Sequence, residues 1–132
     1  MVTLAIVMNF RRNNPQALRF AERRKREDEA PRLQVEVPNL ASLKLDVEDN
    51  SGAVEGSKHT RRVVVDRAPA LFLVQCCDPR CTEGEHDLTT MVMRALRAHE
   101  TSFHGEDPCR GSVGPSPCVR VLQFEAVATY RA

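Results

Sequence analysis

All five cysteines of the chain, and three of its four histidines, fall between Cys76 and Cys118. The stretch reads CCDPRCTEGEHDLTTMVMRALRAHETSFHGEDPCRGSVGPSPC. A chain of 132 residues with long polar segments buries only a small core. Cores of that size are commonly reinforced by a metal or a disulfide. The expected arrangement is a structural zinc site held by Cys76, Cys81, Cys109 and Cys118, with Cys77 and His86 as alternate ligands. The first pair spans an Asp78–Pro79 turn with a wider spacing than the common C-x2-C knuckle. The second pair encloses RGSVGPSP, whose glycines and prolines let the chain fold back. Alternation along residues 71–77 puts Cys76 and Cys77 on opposite faces, and the longer spacer to Cys81 favours Cys76.

Other chemistries fit the same residues. An exported chain would pair the cysteines as disulfides. Buried thiols serve as small hydrophobes without any metal. A spare Cys77 as nucleophile has no accompanying triad spacing, and the cysteine intervals match none of the common iron–sulfur runs. His104 lies close enough to Cys109 to compete as a ligand, whereas His99 falls on the apolar side of a helix.

That helix, over residues 88–98, is the most strongly patterned element. Leu88, Met91, Val92, Ala95, Leu96 and His99 fall on one side at helical spacing, and Asp87 is placed to cap it. Alternation predicts strands over residues 42–47, 58–65 and 119–131, and an apolar run predicts a central strand over 71–74. LQVEV, residues 33–37, alternates briefly and predicts a short strand before Pro38. Residues 49–57 are a loop and residues 100–118 a long irregular connection. Ordering the latter carries a large entropy cost, an independent reason to expect Cys109 and Cys118 to be anchored. The fold class expected is α+β: an antiparallel sheet of three to four strands with one main helix on one face. Its α-β-β-β-α order resembles the double-stranded RNA-binding domain. Here the second helix opens HDLTT in place of that family's lysines, and the cysteine loops and last strand are additions.

Charge divides the chain into a charged arm, residues 1–30, and a zinc-stabilised domain, residues 31–132. The arm carries Arg11, Arg12, Arg19, Arg23, Arg24, Lys25 and Arg26 against four acids, whereas the remainder is slightly acidic. Pro15 and Asn14 suit the start of a helix over residues 15–29, with oppositely charged pairs such as Glu22 and Arg26 one turn apart. Residues 1–8 lack the basic flank and cleavage site of a secretory signal, and Met8 reads as a second plausible start. A cytoplasmic location, where thiolates stay available for metal, is the expectation.

The function expected from these residues is a non-catalytic zinc module that contacts another macromolecule, foremost another protein, with no membrane partner. The alternative is a nucleic-acid binder using the arm's basic residues together with Arg61, Arg62, Arg94 and Arg97. A third reading, a zinc hydrolase, needs an open coordination position and a base among Asp78, Glu83, Glu85 and Asp87.

Overall fold

The structure, a computed structural model, describes residues 15–49 and 58–132. Arg11, Arg12, Asn14, the 1–8 segment and most of the 49–57 loop lie outside the described residues. The chain divides into two compact units, Met1–Ala30 and Pro31–Ala132. In the first, helix α1 (Pro15–Glu29) starts at the proline whose fixed φ suits a first helical turn. Leu18 and Phe20 remain exposed on it, and the Arg23 guanidinium lies 5.7 Å from the Phe20 ring centroid.

The second unit contains helix α2 (Leu33–Glu36), strands β1 (Leu40–Asp49), β2 (Lys58–Val63), β3 (Leu73–Gln75), β4 (Cys81–Thr82) and β5 (Glu85–Asp87), helix α3 (Thr89–Arg97), and strands β6 (Ser102–Pro108), β7 (Ser112–Val113), β8 (Ser116–Pro117) and β9 (Val121–Tyr130). It is an α+β fold with small antiparallel sheets. The main sheet has four strands in the order β2-β1-β9-β6. A two-stranded sheet joins β3 to β5, and a three-stranded one has the order β4-β7-β8.

Alternation fixes which face of the main sheet is buried. Leu43, Leu45 and Val47 of β1 lie beside Ala128, Ala126 and Phe124 of β9, and all six are buried. Val92, Met93 and Leu96 of α3 belong to the same apolar cluster and cover this face. The small side chains of Ala126 and Ala128 suit that approach. The opposite face carries Lys44, Asp46, Glu48, Gln123 and Glu125, in keeping with an antiparallel sheet covered on one side.

Several expectations change. Residues 33–36 are a helical turn, not a strand: Leu33 and Val37, four apart, are buried, while the intervening Val35 is 73% exposed. The segment is fastened by Leu33 N–H to the Ala68 carbonyl and Ala70 N–H to the Pro31 carbonyl. The apolar run at 71–74 is not central in the main sheet. Its second half opens β3, which among the described residues pairs with β5 alone, and its burial comes from the core around it. The connection at 100–118 is not irregular throughout, because residues 102–108 form edge strand β6 against β9. SFHGEDP hides that strand, since its outward positions are polar and its core-facing row includes Gly105 and Asp107. With β6 and α2 present, the element order no longer follows α-β-β-β-α.

Candidate metal centre

Two hairpin-like regions bring the cysteines together. The β3–β5 ladder continues into Cys76, whose N–H donates to the Gly84 carbonyl. Inside that loop, the Asp78 carboxylate accepts from the Arg80 backbone N–H at 2.9 Å, and Cys81 N–H donates to the Asp78 carbonyl. Asp78–Pro79 thus makes a tight turn that presents Cys81 back toward Cys76. On the other side, the β6–β9 ladder continues through Cys109 N–H to the Arg120 carbonyl, and Cys118 N–H donates to the Gly111 carbonyl. Strand β4, which begins at Cys81, pairs with β7 between Cys109 and Cys118 and draws the two regions together.

The four sulfurs of Cys76, Cys81, Cys109 and Cys118 lie within 4.8 Å of one another, and all four residues are buried. The Sγ atoms of Cys81 and Cys109 are 3.7 Å apart, and those of Cys76 and Cys118 are 3.9 Å apart. Sulfurs about 2.3 Å from a central zinc form a tetrahedron with edges of about 3.8 Å. None of the five cysteines is in a disulfide. The cluster is therefore geometrically compatible with a metal ion held by four thiolates. The amide of Gly111 also donates to Cys109 Sγ at 3.4 Å.

Without a cation, the same packing opposes ionisation. Burial, then the neighbouring thiols, raises Cys81 to about 12. Burial, with Cys109 and Cys118 beside it, pushes Cys76 up as well. Burial also acts on Cys118, but the backbone hydrogen bond at Arg120 and the other thiols outweigh it and the net shift is downward. Burial therefore opposes ionisation of Cys76 and Cys81, and a bound cation would have to displace their protons.

Two glycines permit the close approach of these groups. A Cβ at Gly84 would lie 2.3 Å from Cys81 Sγ and 2.7 Å from Cys76 Cβ. A Cβ at Gly111 would lie 2.5 Å from Cys81 Sγ and 2.6 Å from the Thr82 carbonyl oxygen. Their role depends on the two loops facing each other, which the sequence pattern does not reveal.

The remaining sites of interest separate. Cys77 is exposed, with its Sγ donating to Asp49 Oδ2 at 3.0 Å. His86 is fully buried on β5 and stands beside the sulfur cluster, forming a second group of potential ligands with Asp49 and Cys76, also within 4.8 Å of one another. His104 is on the polar side of β6, opposite Glu125. His99 lies beyond α3 in a left-handed conformation, φ 55°, its ring 4.8 Å from Tyr130. Asp87 does not occupy the cap position, which falls to Leu88, but its carboxylate accepts from Thr89 N–H. Arg61 and Arg62 lie on β2 opposite Leu45 and Lys44, on opposite faces of the sheet, and Arg97 pairs with Glu36. Arg94 occupies the last turn of α3, and Arg19, Arg23, Arg24, Lys25 and Arg26 belong to α1.

Asp49, Asp107 and Arg120 are functional candidates that the sequence reading missed. Each continues an inward-facing row: Asp49 after buried Val47, Asp107 after half-buried Gly105, and Arg120 before buried Leu122. Charged residues at inward positions of otherwise apolar rows were the available signal. Arg120 donates to Asp49 at 3.2 Å and lies 3.6 Å from Asp78. Arg80, hydrogen-bonded through its side chain and backbone, holds the Asp78 carboxyl at about 2. Arg110 grips both oxygens of Asp107. A shell of paired charges thus surrounds the thiols.

No protein-family model matches the chain, and no curated protein or solved structure matches it. The reading of the centre rests on its own geometry.

Proposed function

We propose that the protein is a zinc-finger-like, non-catalytic module whose four-cysteine site is structural, and whose purpose is to present a surface to another protein. The observation that carries the zinc reading is the buried cluster of four sulfurs, whose separations of 3.7 and 3.9 Å agree with the edges of a tetrahedron around zinc(II). Cys76, Cys81, Cys109 and Cys118 would hold the ion. Bound there, it would tie the β3–β5 loop to the β7–β8 hairpin, and its binding free energy would be in part folding free energy. Four thiolates close the tetrahedron, which disfavours a hydrolase that needs a position for water.

The preference for a protein partner rests on charge layout. The solvent face of the main sheet intersperses Lys44 and Lys58 with Asp46, Glu48 and Glu125. A nucleic-acid surface calls for a continuous basic patch. Within Pro31–Ala132, Arg61 and Arg62 diverge across the sheet, and Arg97 has an acidic partner.

Elemental analysis of protein purified without added zinc tests the structural reading. Zinc is expected to accompany the chain, and a thiol-reactive reagent should release it with loss of the fold. Cys109→Ser should lose the tetrathiolate ion and much of the thermal stability. A folded wild-type protein that neither carries nor takes up zinc would overturn the proposal. Fluorescence anisotropy with short RNA and DNA duplexes tests the partner class: strong binding that weakens steeply with salt would favour the nucleic-acid reading.

A further inference from the structure

We infer that Asp49, Cys76 and His86 form a second cation site, which shares the Cys76 sulfur with the four-cysteine site. The fully loaded protein would then hold two zinc(II) ions bridged by one thiolate. This inference rests on the four-cysteine site holding metal, because Cys76 belongs to both groups.

The decisive group is the imidazole of His86. Its side chain is completely buried, and its Nε2 is the buried side-chain polar atom without a hydrogen-bond partner among the described residues. Its Nδ1 lies 2.9 Å from the backbone carbonyl of Asp107. A carbonyl only accepts, so Nδ1 carries a proton, and the tautomer that places it there has a bare lone pair at Nε2. Leaving such an atom buried and unsatisfied costs about 1–3 kcal/mol. A ring nitrogen of His86, a carboxylate oxygen of Asp49 and the sulfur of Cys76 lie within 4.8 Å of one another. All three groups are electron donors. Together they can accept a cation beside the Arg120 guanidinium that already pairs with Asp49.

The surroundings of the ring suit ligation. Histidines that bind metals nearly always donate their other ring N–H to a carbonyl or carboxylate, which fixes the tautomer. Asp107 supplies the carbonyl, and its carboxylate oxygen lies 3.5 Å from the same Nδ1. Arg110 holds that carboxylate by both oxygens, so the orienting group is itself oriented. One nitrogen, one carboxylate oxygen and one thiolate sulfur form a donor set suited to zinc. Cys77 Sγ sits beside this group, 3.0 Å from Asp49 Oδ2.

Charge balance points the same way. Four thiolates and the carboxylates of Asp49, Asp78 and Asp107 face the guanidinium groups of Arg80, Arg110 and Arg120. One dication in the tetrathiolate site leaves two negative charges uncompensated among mostly buried groups. A second dication removes them.

The test is metal stoichiometry on the full chain. Wild-type protein and His86→Gln are loaded with excess zinc(II), desalted, and weighed by native mass spectrometry. Two ions are expected on wild type and one on His86→Gln, with thermal melts confirming that the variant folds. Asp49→Asn is the second variant, expected to show the same loss. Cobalt(II) titration of metal-free protein should give a tetrathiolate spectrum and then a distinct second species that disappears in either variant. The cadmium-113 spectrum of wild type adds a readout independent of the variants, with two resonances expected. One zinc on wild type would overturn this inference while leaving the four-cysteine reading intact. No zinc would overturn both. Two ions on both wild type and a folded variant would place the second ion elsewhere and overturn the bridged site.

Discussion

Replacing Gly84 by alanine tests the sulfur tetrahedron without touching a ligand. The added Cβ would meet Cys81 Sγ at 2.3 Å, Cys76 Cβ at 2.7 Å and Cys109 Sγ at 3.0 Å. Comfortable non-bonded contacts between heavy atoms lie at about 3.5–4.0 Å, so the first overlap exceeds roughly 1 Å. In the metal-free protein the Sγ atoms of Cys81 and Cys109 can turn aside, which leaves only the contact with Cys76 Cβ. With an ion bound, the sulfurs are fixed and the backbone must yield. Overpacking of this kind costs about 1–3 kcal/mol, and if that penalty falls on the loaded state, zinc affinity drops about 5- to 150-fold. Competition for zinc against a chromophoric chelator measures the change. Gly114→Asn is the control: Gly114 has φ +59° with no atom near its would-be Cβ, and asparagine tolerates that conformation. Its zinc affinity should match wild type. If Gly84→Ala bound zinc as tightly as wild type, the assignment of the ion to these sulfurs would be refuted.

Four further outcomes follow from the same structure. Zinc binding should release protons and strengthen as pH rises toward the thiol range, because the ion displaces protons from Cys76 and Cys81; potentiometry or proton-release calorimetry reads this. The metal-free protein should behave oppositely at alkaline pH. Cys81 is raised from 9.0 to about 12, so its contribution is present below pH 9.0 and is lost as pH rises through about 12, as alkaline melts of chelator-treated protein can show. Arg120→Met should destabilise the fold by about 3–5 kcal/mol in urea titrations, since it leaves the Asp49 carboxylate buried without its guanidinium partner. Leu96→Ala should cost about 2–5 kcal/mol by the same assay, because Leu96 is fully buried in the apolar cluster that α3 shares with the main sheet.

Some of this architecture is readable from residues alone. Alternation in β1 and β9 and the apolar stripe of α3 mark the core, because neighbours along one strand or helix share a face by backbone geometry. Those signals fail where an element is short or has little apolar surface. Strand β6 follows from its hydrogen bonds to β9, not from its own composition. Helix α2 follows from the docking of Leu33 and Val37, four residues apart, although the letters alternate.

Residue order sets the supply of thiols, the turn-forming residues around them, and the apolar faces that build the core. Tertiary structure decided which thiols meet. It separated the neighbours Cys76 and Cys77, burying one with Cys81, Cys109 and Cys118 and leaving the other exposed beside Asp49. It also set His86 against Cys76 and aligned Asp49, Asp107 and Arg120 at the ends of inward-facing rows. The physical reason is range: periodicity is a property of adjacent residues, whereas the centre depends on the register of ladders joining segments far apart in the chain.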